Sequence, residues 1–109
     1  MFKSKITQIL KELSVPVHLN GYRYLREAIE VMCNSSKPAR LTKEIYPAVA
    51  KRYSVTHGSV ERAIRHAIEK AWDRRDPEIY RNYFGVISTK SIPTNSEFII
   101  VVFETLQNE

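Results

Sequence analysis

The chain has 109 residues, 43% of them hydrophobic, with three glycines and one cysteine. That is one domain over 1–109, large enough to bury a core without staples, and it excludes a disordered or disulfide-built chain. The net charge is +5, and between Arg40 and Arg75 nine Lys/Arg stand against four acids, so this third of the chain carries the whole excess. A localised basic block points to a polyanionic partner or, more simply, to a solvated basic surface.

Residues 3–13 predict a short helix with Ile6, Ile9, Leu10 and Leu13 on one face, ended by Val15-Pro16-Val17. The amphipathic, charged N-terminus contains no continuous apolar run, so it reads as neither a signal peptide nor a membrane span. Asn20-Gly21 reads as a turn. From Tyr22 the spacing of Leu25, Ala28, Ile29, Met32 and Cys33 is helical again, stopping in the loop cluster Asn34-Ser35-Ser36-Lys37-Pro38. Cys33 is the lone cysteine, which fits a reducing cytosol and a cytoplasmic protein, and its reading is a small buried thiol.

Thr42 is a candidate cap for a helix carrying Ile45, Tyr46, Val49, Ala50 and Tyr53. Pro47 would fall just beyond the first turn of that helix, which predicts a small kink. Ser54-Val55-Thr56 is a very short connection to the next helix, 57–74. There Val60, Ala63, Ile64, Ala67, Ile68, Ala71 and Trp72 form one apolar stripe, and Thr56 supplies an N-cap. Glu61, Arg62, Arg65, His66, Glu69 and Lys70 take the other side. A break at Asp76-Pro77 precedes a one- or two-turn helix with Ile79, Tyr80, Tyr83 and Phe84, ending at Gly85. Residues 86–92 read as an irregular or extended link. Pro93-Thr94-Asn95-Ser96-Glu97 then opens a helix with Phe98, Val101, Val102, Thr105 and Leu106 on its stripe. The β-branched run from Ile99 also permits a strand; the cap and first-turn acid favour the helix.

Two helices joined by about three residues, the second amphipathic and basic, have the form of a helix-turn-helix at about 42–74; an ordinary helical hairpin has the same composition. In the first case the outward residues near the start of the second helix are Ser59, Glu61, Arg62, Arg65 and His66. Arg carries two parallel donors that match guanine O6 and N7 in the major groove, and Glu accepts from cytosine N4. Thr56, Lys43, Lys51 and Arg52 are then candidates for DNA backbone contacts, which fix register without reading sequence.

Y-P-A-V-A-K-R-Y (46–53), S-V-E-R-A-I-R-H-A-I-E-K-A-W (59–72) and P-T-N-S-E-F (93–98) resemble the C-terminal effector domain of the sporulation master response regulator of endospore-forming bacteria. V-H-L-N-G-Y-R-Y-L-R-E-A-I (17–29) resembles that domain's second helix and its approach, so the likeness runs from about Ile6 to Phe98. It implies an all-α, six-helix bundle containing a helix-turn-helix, which binds a T-G-T-C-G-A-A-like box as tandem copies and regulates sporulation genes. The family's base-reading Glu and two Arg fall on Glu61, Arg62 and Arg65, and a neighbouring His on His66. Its surface toward RNA polymerase sigma factor falls on 73–84, where the match is poor. Gly58-Ser59 stands where the family has Ser-Arg, Ile92 where it has Lys, and F-E-T-L-Q-N-E replaces its basic tail. The bundle uses all 109 residues, leaving none for a receiver domain, so the expectation is an excised effector domain or a stand-alone paralog.

The expected partner is therefore double-stranded DNA, with self-association in tandem on it and contact with sigma factor as further implications. The alternative is a protein-interaction module of the same fold that modulates a full-length regulator. No membrane contact, cofactor or catalytic residue is expected. His18, His57 and His66 lack metal-ligand spacing. Trp72 and the Tyr80/Tyr83/Phe84 group read as core, and Asp73 and Asp76 as charge balance at helix ends.

Overall fold

A computed structural model describes residues 2–35, 40–88 and 91–108. Among these residues six α-helices follow one another: α1 (Phe2–Glu12), α2 (Asn20–Asn34), α3 (Tyr46–Tyr53), α4 (His57–Arg74), α5 (Pro77–Ser88) and α6 (Asn95–Gln107). No strand occurs among the described residues, so the protein is all-α. The apolar stripes meet in a single core, where Ile6, Leu10, Leu25, Ile29, Val49, Ile64, Ile68, Phe98 and Ile99 are fully buried.

The α2–α4 pairing is the most extensive. Its cause is Gly21: a Cβ there would collide with the Ala63 carbonyl oxygen and lie 2.7 Å from Ala67 Cβ. Only a residue without a side chain lets the two backbones approach so closely. Asn20-Gly21, expected as a turn, is thus the first turn of α2. The helix has no side-chain cap at Leu19.

The entry to α3 also differs from expectation. Leu41–Ile45 form a π-helical turn running directly into α3, and Pro47 falls in the first turn of α3, where its missing N–H costs little. The wide turn is closed by Ile45 N–H donating to Arg40 O at 3.0 Å and Tyr46 N–H donating to Leu41 O. Thr42 therefore lies inside the turn and caps nothing; Glu44 Oε1 instead accepts from the Arg40 N–H at 3.1 Å.

α3 ends with Ser54 in the left-handed conformation, φ 56°. Val55 N–H donates back to Ala50 O at 3.0 Å and Ser54 N–H to Lys51 O at 3.3 Å, so two free carbonyls are satisfied and Val55 turns inward against the core. The same device ends α1, with Ser14 at φ 67° and Val15 buried.

Of the aromatic residues expected in the core, Tyr80 is fully buried, and Trp72, Tyr83 and Phe84 are half-buried against it. Trp72, Tyr80, Phe84 and Phe98 form a chain of ring contacts at 5.9, 5.4 and 5.8 Å that ties α4, α5 and α6. The Tyr80 hydroxyl is buried and donates to Leu13 O at 2.7 Å; burial pushes its pKa far up. Arg75 closes the end of α4, its guanidinium 3.6 Å from the Trp72 ring centroid and donating to Trp72 O at 2.8 Å. Asp76 accepts from the Glu78 N–H at 2.9 Å and so caps α5. Gly85 breaks α5 as expected, at φ 85°, but a further helical turn follows to Ser88 where a link was expected. Residues 89–90 of that link, and Ser36-Lys37-Pro38 of the earlier loop cluster, lie outside the described residues.

α6 is a helix, not a strand. Thr94 Oγ1 accepts from the Glu97 N–H at 3.1 Å while Glu97 Oε1 accepts from the Thr94 N–H at 2.8 Å, a reciprocal capping box. Cys33 is half-buried rather than buried, and that burial raises its thiol pKa. No helix among the described residues is long and apolar enough to cross a membrane.

Candidate nucleic-acid interface

α4 is the longest helix among the described residues and carries four Lys/Arg against three acids. At 18 residues it is about 27 Å long. Its buried side is Val60, Ile64, Ala67, Ile68 and Ala71, with Ala63 and Trp72 at the borders. Its start is set by Thr56, whose Oγ1 accepts from the Ser59 N–H at 3.1 Å and lies 2.7 Å from Ser59 Oγ. One hydroxyl proton bridges the two oxygens, leaving the other free to donate outward. Thr56→Ala should lower stability by about 1 kcal/mol, read as a lower urea midpoint at unchanged slope.

The predicted base-reading residues divide into two groups. Ser59, Arg62 and His66 fall on one open stripe, with Arg62 and His66 exposed. The Arg62 guanidinium arches back over Gly58, with Nη1 3.1 Å from where a Cβ on that glycine would sit. Glu61 and Arg65 lie on the flank that meets α6. Glu61 Oε1 is 3.1 Å from His57 Nε2, close enough for an ion pair with a protonated imidazole, although Nε2 is buried and makes no hydrogen bond. Arg65 is half-buried: Nη1 donates to Pro93 O at 2.8 Å, and Nε lies 3.4 Å from Glu69 Oε2. Its guanidinium is therefore occupied within the domain.

The backbone candidates are also spread out. Lys51 and Arg52 are exposed in the last turn of α3, beside the 54–56 connection, while Lys43 is exposed in the π-helical turn at the other end. Arg52 Nε pairs with Glu27 Oε1 at 3.2 Å, tying α3 to α2.

The segment before and at the start of α6 contributes contacts that the sequence did not reveal. Asn95 Nδ2 donates to Glu61 O at 3.1 Å, so the P-T-N-S-E-F motif clasps α4 at both Glu61 and Arg65. Asn95 also faces the Tyr46 hydroxyl and lowers its pKa. Two stronger effects, burial first and then the Glu61 carboxylate, leave that hydroxyl raised overall. Asn95 Oδ1 is buried without a geometrically good donor. On α2, Arg23 is exposed between Tyr22 and Tyr24, and its Nη2 donates to Asn20 Oδ1 at 2.8 Å. Among the described residues no three His, Cys, Asp or Glu side chains are grouped to hold a metal ion.

Fold and surface together define a small all-α domain that displays a capped, basic helix beside a short interhelical connection, the class that includes helical DNA-binding domains. A sequence profile described as sporulation initiation factor Spo0A C terminal matches residues 6–106. The chain belongs to that family, one of DNA-binding regulatory domains that act as response-regulator effectors in sporulation and not of enzymes.

Proposed function

We propose that this domain is a sequence-specific binder of double-stranded DNA in transcription control, using a helix-turn-helix at about 42–74 to read a T-G-T-C-G-A-A-like box. Arg62 and His66, with Ser59, supply the outward contacts to bases; Glu61 and Arg65 join them from the α6 flank. Thr56, Lys43, Lys51 and Arg52 hold phosphates. The observation that carries this reading is the open stripe of α4, where an exposed arginine and histidine stand next to a firmly capped helix start. The protein would act in the cytoplasm, in tandem copies on DNA, with 73–84 offered to sigma factor.

Titration of the box duplex against a scrambled duplex tests it. Preference for the box supports base reading, and equal affinity overturns it. Lys51→Ala should weaken both duplexes alike and reduce the slope of log affinity against log salt by about 0.9.

A second reading is favoured by Arg65. With its guanidinium held by Pro93 O and Glu69, the helix is short of one reader unless that bond is exchanged on binding. The domain would then be a protein-interaction module that modulates a full-length regulator. Absence of box preference together with co-migration with such a regulator would establish it.

A further inference from the structure

The open stripe of α4 has two borders. Glu61 and Arg65 meet α6 on one side; on the other, Ala63 and Ala67 meet the start of α2 at Gly21. Arg23 is two residues beyond Gly21. Its guanidinium carbon is 6.0 Å from the centroid of the Tyr53 ring, and Nη2 donates to Asn20 Oδ1 at 2.8 Å. Tyr53 is the last residue of α3, three residues before Thr56, so it is at most about 11 Å along the chain from the cap of α4.

From this placement we infer that Arg23 of α2 is a further phosphate-binding residue, one that extends the duplex-binding surface past the two helices of the motif. The inference rests on the duplex-binding reading above but not on its base contacts. Arg23 is exposed, and no carboxylate pairs with it among the described residues. Of the arginines around it, Arg52, already among the proposed phosphate contacts, shares its charge with Glu27, and Arg26 is half-buried over Tyr22, 5.7 Å from the ring centroid. A guanidinium held by a ring face and one amide oxygen loses little rotamer freedom when it meets a phosphate, and most of its five donors stay open. The Gly21 contact keeps it in fixed relation to α4, so it serves register as well as charge.

The test compares wild type, Arg23→Gln and Arg23→Lys on the box duplex and a scrambled duplex between about 50 and 200 mM salt. Arg23→Gln should bind both duplexes more weakly, with the salt slope reduced by about 0.9, so its deficit shrinks roughly three- to fourfold across that range. Arg23→Lys should restore the slope, because it restores the charge. Thermal midpoints near wild type show that both variants fold. A wild-type slope in Arg23→Gln overturns the inference even if box preference is intact, as does weaker binding that Arg23→Lys fails to restore. Loss of box preference in wild type overturns base reading alone, because the slope is read on the scrambled duplex too.

Discussion

Gly21→Ala should destabilise the domain by about 1–3 kcal/mol, seen as a lower midpoint in urea unfolding. The new methyl would meet the Ala63 carbonyl oxygen and, at 2.7 Å, the Ala67 methyl. Neither is the far end of a flexible side chain, so relief requires the two helix axes to separate along their closest pairing. Alanine is the better helix former by up to about 1 kcal/mol, which offsets part of the loss but does not reverse it. Gly58 provides the control. A Cβ there meets only the Arg62 guanidinium, at 3.1 Å, which can swing away. Gly58→Ala should therefore be neutral or slightly stabilising. Equal midpoints for Gly21→Ala and wild type would contradict the packing account.

Arg62→Ala should weaken binding to the box duplex by about 1–3 kcal/mol and relax the preference at one base pair, while changing the scrambled duplex by little more than one phosphate contact would. Arg62 is exposed and makes no ion pair among the described residues, so the folded state should lose almost nothing. Competition binding against single-position box variants reads both quantities. Equal losses on box and scrambled DNA would remove Arg62 from base reading. Arg65 behaves differently under the same substitution: its bond to Pro93 O and its pairing with Glu69 are lost as well, so both stability and binding should move.

What was legible in the chain was local. The stripe from Val60 to Trp72, the Thr56 cap and the Thr94 box depend on residues a few positions apart, and each is present in the fold. Ile99 and Val102 are buried while Ile100 is exposed, so the helical period overrode the β-branched preference of that segment. What was not legible depended on partners distant in sequence. Asn20-Gly21 looks like a turn until α4 is laid across it. Thr42 looks like a cap until Pro47 and the π-helical turn shift the start back to Arg40. On the proposed site, periodicity put Arg62 and Arg65 on one outward face. The bond that turns Arg65 toward α6 comes from Pro93, 28 residues later, and no spacing rule anticipates it.

The Tyr80 bond to Leu13 O has a consequence for motion. Beside it, the Tyr83 hydroxyl donates to Glu12 Oε1 at 2.6 Å, so α5 holds the last turn of α1 and the left-handed Ser14 that follows it. The two segments share their fastenings and should open as a unit in hydrogen exchange, one slow cooperative step in place of two independent frayings. A partner that grips α5 would then be registered at α1 through the two tyrosine hydroxyls, and at the end of α4 through the Tyr80–Trp72 ring contact.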